Sequence, residues 1–90
     1  MTAAPLPPRP DSPLEASGER AVLDRLFAVA QAYRNDGSVR QAMDLYWELV
    51  EDFPETRQAN DARKVLLELA SQYEREGARH AARTIYERLL

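Results

Sequence analysis

Ninety residues, 44% of them hydrophobic and 30% charged, set the scale of one small domain and exclude a multidomain enzyme. The lack of cysteine removes disulfides and every thiolate metal site, and a net charge of −3, from 12 basic and 15 acidic residues, lacks the positive field that drives binding to phosphate backbones. No apolar run approaches a membrane span, and the N-terminus has neither the charged start nor the apolar core of a signal peptide, so the expectation is a cytoplasmic protein with no nucleic-acid or membrane partner. Eleven of the twelve basic residues are Arg, with Lys64 the single lysine, a bias that points to a GC-rich, bacterial genome.

Five of the six prolines, Pro5, Pro7, Pro8, Pro10 and Pro13, fall at the start, where locked φ angles and missing N–H donors oppose helix and sheet. Residues 1–16 are therefore read as a disordered proline-rich tail. The run Pro5-Leu6-Pro7-Pro8-Arg9-Pro10 favours polyproline II, either as a solvated linker or as a ligand for an aromatic-lined groove. The helical domain then occupies 17–90. Val22, Leu23, Leu26, Phe27, Ala30 and Tyr33 recur at steps of three and four, which predicts a first helix over about 18–35, with Ser17 as N-cap and Gly37 as the left-handed closing residue. Ser38 can cap a second helix over about 39–52, whose apolar positions Val39, Ala42, Met43, Leu45, Tyr46, Leu49 and Val50 precede Phe53 and a stop at Pro54.

Ala59, Ala62, Val65, Leu66, Leu69, Ala70 and Tyr73 predict a third helix before Gly77, with Thr56 preferred to Asn60 as its cap. A fourth helical run, Ala81, Ala82, Ile85, Tyr86, Leu89 and Leu90, follows the glycine. No segment alternates in the manner of a strand. The expected architecture is all-α, two antiparallel helical hairpins.

A shift of 40 residues superimposes Leu26 on Leu66, Ala30 on Ala70, Tyr33 on Tyr73, Gly37 on Gly77, Ala42 on Ala82, Tyr46 on Tyr86 and Leu49 on Leu89. Residues 17–54 and 55–90 are thus two copies of one unit. Alanine permits close helix approach, tyrosine fills space between helices and glycine turns the chain. This order of residue types, closed by Pro54 in the first unit, resembles the tetratricopeptide repeat (TPR). The period of 40 departs from the usual 34 or so. Ala59 and Ala62 keep the phase of Leu66 and Leu69, so the additional residues are expected to extend the third helix at its N-terminus.

The resemblance implies an α-solenoid fragment and a protein-binding role, as an adaptor or accessory subunit in assembly of a larger complex. The alternative is a regulatory subunit that acts on an enzyme's surface. It also implies a groove lined by the first helix of each unit, placing Asp24, Phe27, Ala28, Gln31 and Arg34 beside Lys64, Leu67, Glu68, Ser71 and Arg75. Phe27 and Leu67 stand in equivalent positions, either as an apolar anchor for a peptide or as part of the hairpin core. Gln31, Arg34, Lys64 and Arg75 supply donors for a peptide backbone or carboxylate. Phe27, Gln31 and Glu68 stand where the chaperone-tail-binding TPRs would need Lys, Asn and Asn, so acidic C-terminal tails are not the expected ligand. Trp47, matched by Glu87 in the second unit, is either an interface residue or packed with Met43, Val50 or the third helix.

Two repeats are fewer than the three or so of a stable stack, so apolar surface should stay open, with Ile85, Leu89 and Leu90 as a self-association or docking face. Residues 17–54 hold four basic and seven acidic groups and residues 55–90 seven and six, a polarity that favours head-to-tail contact but is screened by salt. No catalytic constellation is present. His80 is the single histidine and reads as solvated, the three glycines form no phosphate loop, and Glu51-Asp52 and Glu74/Glu76 match no calcium loop, so neither enzymatic activity nor a cofactor or metal is expected.

Overall fold

Proline costs a helix least in its first turn, where its missing N–H would have no intrahelical partner. The first helix begins on such a residue: α1 spans Pro13–Asn35, five residues earlier than the periodicity indicates. In the computed structural model, which describes residues 13–90, Ser17 consequently lies inside α1 and does not cap it. The expected tail contributes residues 13–16 to this helix, while its first twelve residues, with the Pro5–Pro10 run, lie outside the described residues.

Three further helices follow, α2 (Val39–Asp52), α3 (Arg57–Arg75) and α4 (Arg79–Leu89), and the described residues contain no strand. Each helix packs against the next in sequence, and α1 also touches α3. The links are short and two of them are built alike. In the first, Asp36 N–H donates to Ala32 O, Gly37 N–H to Arg34 O and Ser38 N–H to Tyr33 O. In the second, Glu76, Gly77 and Ala78 repeat the pattern on Gln72, Glu74 and Tyr73. Gly37 and Gly77 take φ of +86° and +81°, the left-handed conformation in which a Cβ is strained. Ser38 holds the N-cap position of α2, but its side chain makes no capping bond, and Ala78 does the same duty for α4 without a hydroxyl.

Between α2 and α3 the chain turns on Thr56. Its hydroxyl donates to Phe53 O at 2.8 Å and accepts from Ala59 N–H at 3.1 Å, so one side chain both closes the link and caps α3. That cap starts α3 three residues past Pro54, and the additional residues of the second unit are helical, as the phase of Ala59 and Ala62 indicates.

The core follows the sequence period. Ala42, Tyr46 and Leu49 are fully buried on α2, and Ala59, Ala62, Leu66 and Ala70 on α3, with Ala30 and Ala82 completing a set of alanines that let neighbouring helices approach closely. Leu49 and Leu66 each contribute about 1.5–3 kcal/mol by leaving water. The buried set departs from the expected one at α1. Leu23 and Ala30 are buried, but Val22 and Tyr33 remain exposed, because α1 is covered by α2 and only lightly by α3. The tyrosines accordingly divide: Tyr46 is enclosed, Tyr73 and Tyr86 are half-buried, and Tyr33 faces outward.

Candidate functional site

Helix α1 meets α3 along a polar seam. At one end Asp24 accepts from Gln58 Nε2 at 2.7 Å and from Arg57 Nη2 at 3.5 Å. Gln58 is the one buried polar residue of the described chain, and this bond satisfies it. At the other end Arg34 Nη1 reaches Glu68 Oε2 at 3.5 Å, a solvent-accessible pair worth well under 1 kcal/mol. The pair joins two residues named from the groove expectation. Phe27 is half-buried and stands edge-on to Tyr46, with ring centroids 5.7 Å apart and planes at 65°, which places it against the core cluster. Its counterpart Leu67 remains 46% exposed. Gln31 and Lys64 are exposed, and Arg75 is exposed while donating to Ser71 Oγ at 3.3 Å. The strip therefore offers one apolar side chain, Leu67, beside amide, ammonium and guanidinium donors.

Beneath it lies Tyr46, whose hydroxyl is buried without a hydrogen-bond partner. Burial raises its pKa above the ordinary 10.0, with Arg34 opposing that shift and Glu68 adding to it. Position-by-position periodicity could not reveal this polar atom's isolation, since it depends on three helices at once.

Two of the expected contact residues are interior. Trp47 is buried, and Arg88 from α4 lies over its ring with the guanidinium carbon 4.3 Å from the centroid. Arg88 is fixed there by a bidentate pair with Glu51, Nη2 to Oε1 at 2.6 Å and Nε to Oε2 at 3.1 Å. The arginine holds the Glu51 carboxyl below its usual pKa, first by hydrogen bonding, and Glu51 in turn raises the pKa of Arg88. Ile85, expected on an open docking face, is only 2% exposed: it packs into the core cluster and cannot belong to that face. Leu89 is half-buried and Leu90 exposed. The Trp47–Arg88–Glu51 arrangement carries no local sequence signature, because its members come from two helices 37 residues apart.

An open groove of about 540 Å³ lies on α3 and α4, bordered by Glu74, Ala82, Tyr86 and Leu90. A second, of about 220 Å³, lies on α1 and α2 between Val22, Leu26, Val29 and Leu45. His80 is exposed at the start of α4. Among the described residues no group of acidic or histidine side chains is arranged to hold a metal ion, and no helix is long and apolar enough to cross a membrane. No protein-family model matches the chain, and no curated protein or solved structure matches it significantly.

Proposed function

We propose that the chain is a TPR-like, non-catalytic protein-interaction module, two antiparallel helical hairpins that act as an adaptor or accessory subunit in a larger protein assembly. The observation that carries this reading is the α1–α3 strip, where Gln31, Lys64 and Leu67 stay accessible around the Arg34–Glu68 pair. Donors arranged beside a single exposed leucine suit an extended peptide, whose backbone takes the hydrogen bonds and whose apolar side chain covers Leu67. The recurrence of one turn geometry at Gly37 and Gly77 supports a repeat architecture.

The test is co-purification of the tagged full-length chain from its native cells, alongside a variant carrying Lys64→Glu and Leu67→Asp. Both residues are exposed, so the variant should keep its helical content. A stoichiometric protein retained by the parent chain and lost by the variant is the expected result. A protein retained equally by both would remove the strip from the binding surface.

A further inference from the structure

Two arginine–carboxylate pairs that tie helices together differ in kind. Arg88 is forked onto Glu51, with both Nε and Nη2 engaged at 3.1 and 2.6 Å. Arg34 meets Glu68 through one Nη1···Oε2 contact of 3.5 Å, and among the described residues no second side-chain bond holds its guanidinium. That length is the limit of a hydrogen bond, and the two side chains are 31% and 64% exposed, so little free energy keeps them together.

The hydroxyl of Tyr46 lies beneath this pair, fully buried and bonded to nothing. The charges of Arg34 and Glu68 both act on it, in opposite senses, so both groups stand near the oxygen. A buried O–H without an acceptor is costly, and a carboxylate is the strongest acceptor a protein offers. Glu68 thus has two competing partners, a guanidinium it touches loosely and a phenol that has no other.

Turning Glu68 to the phenol would release Arg34, and competition decides what Arg34 then takes. A neutral backbone carbonyl is a poor rival to Glu68, whereas a second carboxylate can accept two parallel N–H bonds from the planar fork. The local charge favours such a ligand. On α1 from Gln31, and on α3 from Lys64 to Arg75, the strip presents Arg34, Lys64 and Arg75 against Glu68, while Glu74 borders the α3–α4 groove instead. This stretch is positive in a chain of net charge −3 and attracts an anionic segment. Lys64, one turn before Glu68 on α3, offsets the repulsion when two carboxylates are present.

We infer that the peptide held by the α1–α3 strip carries a side-chain carboxylate, which binds Arg34 as Glu68 exchanges that arginine for the hydroxyl of Tyr46. The inference rests on the interaction-module reading and adds the chemical class of the ligand and a specificity role for Tyr46.

A double-mutant cycle on the full chain tests the exchange without a ligand. Arg34→Gln leaves Glu68 to the hydroxyl. In the parent, Tyr46→Phe should lower the unfolding equilibrium constant by about fivefold; in the Arg34→Gln background it should raise it by about as much, because the phenol then loses a bond to a carboxylate. The same effect in both backgrounds overturns the exchange. Calorimetric titration tests the ligand with two acetylated and amidated nonapeptides, Ser-Leu-Ser-Glu-Ser-Leu-Ser-Glu-Ser and its copy with Gln for both Glu. The Glu peptide should bind at least about tenfold more tightly. Arg34→Lys keeps the charge and loses the fork, and Tyr46→Phe leaves Glu68 without its second partner. Each should shrink the Glu advantage to about threefold or less and leave the Gln peptide unchanged. A Glu advantage that survives either substitution overturns the inference, as does no Glu advantage at all. Equal binding of both peptides, abolished by Lys64→Glu with Leu67→Asp, overturns the carboxylate alone and keeps the strip as a peptide surface. A Glu peptide that binds this double variant undiminished removes the strip itself.

Discussion

Tyr46 carries a hydroxyl that is sealed from water and bonded to nothing in the protein, while its ring is packed edge-on against Phe27. Leaving such a donor unpaired costs about 1–3 kcal/mol, whereas the ring's contribution depends on contacts that phenylalanine keeps. Tyr46→Phe should therefore raise stability by about 1 kcal/mol, which in a domain of this size moves the thermal midpoint up by roughly 4–8 °C. The same substitution has a pH signature. Burial raises the folded-state pKa of this phenol above 10.0, so the native state favours the protonated form and the unfolded chain releases the proton first. Stability from this group is intact below pH 10 or so and is lost as pH rises from there through the folded pKa, and Tyr46→Phe should flatten that alkaline decline. Urea unfolding followed by circular dichroism, at neutral pH and again above pH 10, measures both effects. A loss of stability at neutral pH on removing the hydroxyl would refute the reasoning, because it would mean that the hydroxyl is satisfied in solution.

The glycines should respond in opposite directions to the same substitution: Gly77→Ala, at φ +81°, should lose about 1–2 kcal/mol, and Gly18→Ala, inside α1 with open space around its Cα, should gain about 0.5–1 kcal/mol, both read by urea midpoint. Thr56→Ala removes the acceptor for Ala59 N–H and should cost about 1 kcal/mol, whereas Ser38→Ala, whose side chain caps nothing, should fall within about 0.5 kcal/mol of the parent in the same assay. Arg88→Met takes the guanidinium from the Trp47 ring and should destabilise by about 0.5–1 kcal/mol, with a red shift in tryptophan emission as the indole meets water.

Much of the helical layout is legible because it rests on local rules. The second helix begins at Val39 and ends at Asp52 as its apolar period and Pro54 indicate, Thr56 caps the third, and Gly37 and Gly77 are left-handed where the chain turns. The start of α1 lies earlier than the proline content indicates for a physical reason: Pro13 sits in a first turn, where its missing donor costs nothing. Ser38 holds the expected N-cap position, and its side chain makes no capping bond because the turn's backbone bonds, repeated around Ala78, complete the link without one. The candidate surface is harder to read. Ile85 and Trp47 have the chemistry of contact residues, and whether each lies inward depends on how α2 and α4 both pack on α3, with Arg88 closing over the indole. Gln58 escapes notice because its role needs Asp24, 34 residues away.

The matched turns at Gly37 and Gly77 bear on how the chain finds its structure. Both form from residues a few positions apart, and each helix packs first on its neighbour in sequence, so little loop entropy is lost before contacts accumulate. Such low contact order belongs to the fast end of folding, microseconds to milliseconds. With alike turns at Gly37 and Gly77, the first ordered structure can begin at either one. A substitution at one glycine should slow nucleation in its own half while leaving the other route open, so the folding rate should fall by less than the stability loss alone would suggest.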